Sequence, residues 1–187
     1  MLIPEALELA QLQRTGSNQR SIEKSYKLDA EMILKQIKPK NMLDIGCGIG
    51  GVECFIPNCD FFLIDRTQKD NDIYYGYKEK TSFYNSMHTA INQIASVRPG
   101  AKVYIWEADN TIPFQVEFDL IISLISCGFH YPVETYLEQI YQKLRKEGKL
   151  IIDLRKGTTN EEVCEKRFGN KRILEETKKY RRCMFTK

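Results

Sequence analysis

A chain of 187 residues, 42% apolar and 28% charged, suits one α/β domain with a sizeable core and the composition of an ordinary soluble globular protein. No apolar run approaches the length of a membrane span and no basic and apolar leader opens the chain, so a membrane-spanning protein is excluded and a cytoplasmic one expected. The net charge of +3 hides an asymmetry: from Lys143 onward 15 Lys and Arg face 7 Asp and Glu, or +8, which leaves −5 before it. A basic C-terminal portion could attract an anionic substrate or nucleic acid, but Glu175 and Glu176 among the bases favour a solvated surface. Six cysteines (47, 54, 59, 127, 164 and 183) form no Cys-x-x-Cys pair and read as reduced thiols, with no metal implied.

Residues 1–38 read as a helical N-terminal extension, with Arg14 to Asn18 as a loop. Ser21 to Ile37 carries Ile22, Tyr26, Leu28, Ile33, Leu34 and Ile37, mostly at helical spacing, and Pro39 ends the helix. Met42 to Ile45 then reads as a buried strand. It breaks into Gly46, Gly48 and Gly50, with Gly51 behind them and Asp44 two residues before the first glycine. Glycines at this spacing allow a tight turn and close approach of a ligand to the main chain. Gly46, Gly48 and Gly51 also fit the Gly-x-Gly-x-x-Gly turn of dinucleotide-binding folds, but there Asp44 would repel the pyrophosphate.

At these residues the chain resembles the class I S-adenosylmethionine (SAM) methyltransferases, whose first motif is an acid followed by Gly-x-Gly-x-Gly. SAM carries a sulfonium and an ammonium, so an acid beside the glycines is favourable. The resemblance implies that Asp44 faces the methionine part of SAM, directly or through water, and that Gly46, Cys47, Gly48 and Gly50 belong to the cofactor-binding set. The demethylated product would be S-adenosyl-L-homocysteine. A short helix through Val52 and Phe55 ends near Pro57, and Phe61 to Asp65 is a second buried strand. An acid at that strand's end can accept from both ribose hydroxyls, so Asp65, followed by Arg66, joins the cofactor set.

Arg66 to Lys80 is polar and carries Tyr74, Tyr75 and Tyr77 around Gly76; these rings either anchor a long loop or stack on a sugar or base. Phe83 to Val97 has a helical stripe of Met87, Ile91, Ile94 and Ala95, with His88 as a surface or packing residue. Lys102 to Trp106 reads as a third strand. In the family an acid after this strand accepts from the adenine amino group, which implies Asp109 with Asn110, or Glu107 in the other register. Phe118 to Ile125 reads as the fourth strand, opened by a structural Asp119.

Ser126 to Pro132 follows as a loop at the carboxyl end of the fourth strand, where open α/β sheets bind ligands. Ser126 joins the cofactor set, and His130 is the candidate general base, the alternative being a histidine that caps the next helix or packs under SAM. A helix from Pro132 to Leu144 carries Val133, Tyr136, Leu137, Ile140 and Tyr141 on one face and stops at Glu147-Gly148. Lys149 to Leu154 is the fifth strand, followed by Arg155-Lys-Gly157 at the catalytic end. A helix over Glu161 to Phe168 and strands over Lys171 to Lys178 and Tyr180 to Lys187 complete the resemblance as a closing antiparallel hairpin.

The expected architecture is therefore a single domain over residues 1–187, with a Rossmann-like core from residue 39. Its sheet is doubly wound, mostly parallel and seven-stranded, and the N-terminal helices either cover the cofactor or pack on the sheet. The resemblance implies methyl transfer to an oxygen or nitrogen of a small molecule, a sugar or other metabolite. Two other classes stay open: a nucleic-acid methyltransferase using the basic C-terminal portion, and a catalytically silent SAM-binding or partner-binding module.

Overall fold

The computed structural model describes residues 1–13, 19–66 and 87–187. The expected loop at 14–18 and the tyrosines Tyr74, Tyr75 and Tyr77 lie outside the described residues. Eight strands run β1 Asn41–Ile45, β2 Asp60–Asp65, β3 Val103–Glu107, β4 Phe118–Ser123, β5 Ser126–Tyr131, β6 Leu144–Arg155, β7 Arg172–Glu176 and β8 Tyr180–Thr186. Seven of them form one sheet in the order β3-β2-β1-β4-β6-β8-β7. The pairs β1–β2, β1–β4, β2–β3 and β4–β6 are parallel, while β8 runs antiparallel to both β6 and β7. The doubly wound, mostly parallel sheet with a C-terminal hairpin is thus present, and its strand order reverses between β1 and β4.

The central strands are apolar on both sides because neighbouring residues of a strand face opposite ways and both faces are covered. Met42, Phe61, Leu63, Leu120, Ile122, Ile151 and Met184 face one core. Helices α1 (Pro4–Gln13), α2 (Gln19–Gln36) and α3 (Met87–Val97) close it through Ala6, Ala10, Ile22, Tyr26, Ala30, Ile33, Ala90 and Ile94. Leu43, Ile45, Phe62, Ile64, Ile121, Leu150, Ile152 and Phe185 face the other, closed by α4 (Leu137–Lys143) and α5 (Asn160–Phe168). Among the described residues no helix is long and apolar enough to cross a membrane.

Several elements differ from the sequence reading, the fifth strand among them, which begins at Leu144 instead of Lys149 because α4 ends at Lys143. The helix expected through Val52 and Phe55 is a single 3-10 turn, Glu53–Phe55, cut short by Pro57 and by Asn58 at φ 55°. The fourth strand ends at Ser123 instead of Ile125, because Ile125 turns at φ 54° and gives its N–H to the Asp153 carboxylate at 3.1 Å. Extended backbone then resumes as β5 where a loop was expected. The helix from Pro132 is divided into a 3-10 turn, Val133–Thr135, and α4. At the opposite end of the sheet Asp119 accepts the Lys40 and Asn41 N–H groups at 2.6 and 2.9 Å and pairs with Arg145, the structural role expected of it.

Arg182 on β8 is 3% exposed and binds the fully buried Asp153 on β6 through both edges, Nε to Oδ1 at 2.7 Å and Nη2 to Oδ2 at 2.9 Å. Its Nη1 reaches Asp29 on α2 and Glu175 on β7. Removing one partner of such a pair strands a buried charge. Arg182→Ala should lower the unfolding free energy by about 3–5 kcal/mol, read by urea denaturation. A loss below about 1 kcal/mol would mean that Asp153 is relieved by water or protonation instead.

Candidate functional site

The turn after β1 closes over the point where the strand order reverses, the place where open α/β sheets receive ligands. Gly46, Gly48 and Gly50 all take positive φ (84°, 58° and 68°), a conformation costly for side chains with a Cβ. Space is equally limiting. A Cβ on Gly46 would lie 2.0 Å from Ser126 Oγ, and one on Gly51 2.5 Å from the ring of Tyr26. The turn is therefore clasped between β5 on one side and α2 on the other.

Four of the expected cofactor residues converge there. Asp65, 7% exposed at the end of β2, accepts the Gly48 N–H at 2.6 Å through Oδ2 and the Arg66 N–H at 2.7 Å through Oδ1. These two bonds bring the second strand's acid onto the glycine turn and fix its orientation. Asp44 lies buried at the end of β1, and Ser126 packs on Gly46. Cys47 is a buried free thiol pushed up by desolvation first, then by Asp65, Asp44 and Glu53.

The adenine candidates sit one strand further out. Glu107 pairs in register with Asp65, and Ala108 N–H donates to the Asp65 carbonyl at 2.9 Å, so Asp109 follows directly after the ladder. Asp109 Oδ1 accepts from Thr111 Oγ1 at 2.6 Å and Thr111 N–H at 3.0 Å, bonds that hold its carboxyl below the usual range. Asn110 turns at φ 68°, and its carbonyl accepts from Gln139 at 2.9 Å.

His130 is half-buried near the end of β5, its ring edge-on to Phe129 with centroids 4.9 Å apart. Phe129 in turn carries the Arg155 guanidinium 5.3 Å from its centroid, so the arginine expected at the catalytic end rests on a ring. Among the described residues no group of three or more His, Cys, Asp or Glu could hold a metal ion.

Two site residues escaped the sequence reading. Tyr131 closes β5 with its hydroxyl 3.4 Å from Ser126 Oγ, and burial pushes its phenol well above the usual value, with the nearby Asp65 adding to the shift. Glu53 is fully buried beside Asp44. Among the described residues, Asp44 Oδ1 and both Glu53 oxygens are buried and find no hydrogen-bond partner beyond each other. Two facing carboxylates can be joined only by a proton they share. Burial first, and then Glu53, raises Asp44 well above the carboxylate range; burial likewise raises Glu53. A glutamate in the short helix position after the glycines was the one available signal.

No protein-family model and no curated protein matches the chain. Solved structures do. A candidate S-adenosyl-L-methionine-dependent methyltransferase from Methanococcus maripaludis matches with a TM-score of 0.59 at 19% identity, over 87% of this chain and 84% of that one. The N-methyltransferase NodS of Bradyrhizobium japonicum matches with a TM-score of 0.56 at 15% identity, over 88% of this chain and 95% of that one. The T. thermophilus 16S rRNA N2 G1207 methyltransferase, solved with AdoMet and guanosine, matches with a TM-score of 0.58 at 13% identity. This chain is covered completely in that match but spans only 44% of the RNA enzyme. The shared feature at these identities is the fold, that of class I methyltransferases.

The acid pair sets a sign for stability against pH. Its raised folded-state pKa values mean that the native protein keeps a proton that the unfolded chain loses above the ordinary carboxylate range, so the pair's contribution weakens as pH climbs from about 4 toward neutrality. Glu53→Gln keeps the shape and supplies a donor to Asp44. It should raise Tm near neutral pH by roughly 2–4 °C, equivalent to about 1 kcal/mol, and the gain should shrink toward pH 4. Scanning calorimetry across that range reads it; a gain independent of pH would exclude the shared proton.

Proposed function

We propose that this chain is a SAM-dependent methyltransferase acting on an oxygen or nitrogen of a small molecule. The observation that carries the reading is the charge of the turn. Asp44, Glu53 and Asp65 gather at the glycines, and among the described residues no basic side chain pairs with Asp44 or Glu53. Such a turn suits a cationic cofactor and repels a pyrophosphate. The residues fit the group: Asp44 for its positively charged methionine end, Asp65 for the ribose, Asp109 and Asn110 for the adenine. Bound SAM would supply an already activated methyl, so what remains to the protein is alignment of the acceptor and removal of its proton.

His130 is the group we assign to that proton; it lies on β5, the strand that also carries Ser126 and Tyr131. Support for a small acceptor comes from the basic C-terminal portion. There Lys156 pairs with Glu176, Lys171 with Glu161 and Glu165, Arg167 with Glu138, and Arg181 with Glu161 and Glu176. Bases engaged in this way present less uncompensated charge to a phosphate backbone.

Incubation with methyl-labelled SAM and small-molecule, RNA and protein fractions should label a small molecule; labelled RNA would replace this reading with the nucleic-acid one. By calorimetry, Asp65→Ala should weaken SAM binding by about tenfold to a hundredfold, or 1.5–3 kcal/mol, and unchanged affinity would remove Asp65 from the site. His130→Ala should lower turnover by about a hundredfold to ten-thousandfold and erase the acid limb of the pH–rate profile while SAM affinity stays near that of wild type. Near-normal turnover in that variant would exclude the base.

A further inference from the structure

The pairing of Asp44 with Glu53 asks for more than an acid beside a cofactor. One acid on β1 would provide a negative turn. The second, on the 3-10 turn Glu53–Phe55, adds a carboxylate with no exposure and, among the described residues, no donor from another side chain except a proton shared with Asp44. A glutamine there would fill the same volume and hydrogen-bond Asp44 without a titrating group, so packing does not account for the glutamate.

Among the described residues, the groups that face the pair are mostly acidic or neutral. Asp65 faces it from β2 and carries the same sign. Cys47 on the turn, Cys54 on the 3-10 turn and Cys59 before β2 are thiols held neutral by burial. Arg98 and the N-terminal ammonium are felt at Cys54. From α3, Gln93 points its amide N–H to Cys54 Sγ at 3.2 Å and takes the Ile3 N–H on its oxygen at 2.6 Å. From α2, the Tyr26 ring lies on Gly51. Among the described residues, no Lys, Arg or His forms an ion pair with either acid.

Resting on the SAM reading above, we propose that Glu53 is a positioning residue that, through Asp44, exchanges a proton for the cofactor's positive charge and so makes the site prefer the sulfonium over the neutral thioether product. Without a cation the two carboxylates hold one proton between them. A positive charge above the turn favours both in ionised form, and the proton passes to solvent. Loss of the sulfonium charge after transfer lets the pair take a proton back, which weakens the hold on the product. Charge balances at each stage: one positive charge arrives as one proton leaves.

The test is titration calorimetry of SAM and of S-adenosyl-L-homocysteine between pH 6 and 8.5, in pairs of buffers with different ionisation heats. Wild-type protein should release protons on binding SAM and fewer on binding the thioether. The preference for SAM should change with pH by up to about tenfold per unit, the limit for one linked proton. Glu53→Gln, with its fold checked by circular dichroism, should lose the buffer-dependent heat and flatten that profile; Asp44→Asn should do the same. Equal proton release for both ligands, or a Glu53→Gln profile as steep as wild type with both affinities lowered together, would overturn the inference and leave the cofactor reading intact. No binding of SAM to the wild type at any pH would overturn the cofactor reading itself.

Discussion

The Asp153 carboxylate holds both sides of the glycine turn. It accepts Nε and Nη2 of Arg182 and the backbone N–H of Ile125. Through Ile125 it ends β4, and the chain that re-emerges as β5 sets Ser126 against Gly46. Through Arg182 it reaches Asp29 on α2, three residues along the helix from Tyr26, which lies on Gly51. Residues three apart share a helix face, so the same bond that fixes Asp29 fixes the ring. A buried ion pair gains little net stability over an apolar one, and its use here is geometric: it ties α2 to the paired strands β6 and β8.

Within that clasp three acids, Asp44, Glu53 and Asp65, are buried close together. Such an arrangement is costly in an isolated protein and becomes favourable once a cation shares the space. Asp65 avoids part of the cost by accepting two backbone donors, whereas Asp44 and Glu53 do so by retaining a proton. The three acids thus differ in environment, and hence in how readily each gives up its proton.

Much of this was legible in the sequence because it depends on local pattern. Short apolar runs at β1, β2 and β4, glycines at alternate positions and acids closing strands specify the sheet and its switch point, and Asp119 could be set apart as structural. What remained hidden depends on contacts between distant parts of the chain. Ile125 is an apolar residue continuing an apolar strand, and nothing local shows that Asp153, 28 positions later, takes its N–H. Tyr131 reads as one more aromatic in a loop until β5 brings its hydroxyl to Ser126. Glu53 looks like the polar face of a short helix until Pro57 limits that helix to a single turn and its side chain is enclosed.

The order of the sheet also bears on how the molecule comes into being. β8 follows every other strand in the chain, yet it lies between β6 and β7, in the interior of the hairpin end. While the chain is being synthesised from its N-terminus, β6 keeps an open edge and β7 has no neighbour until Tyr180–Thr186 emerges. Arg182 belongs to that segment, so the clasp on the glycine turn also waits for it. A nascent chain can therefore assemble one wing of the sheet early, but its glycine turn is clasped only once Tyr180–Thr186 has emerged, and until then it presents an edge on which a chaperone or another nascent chain could pair.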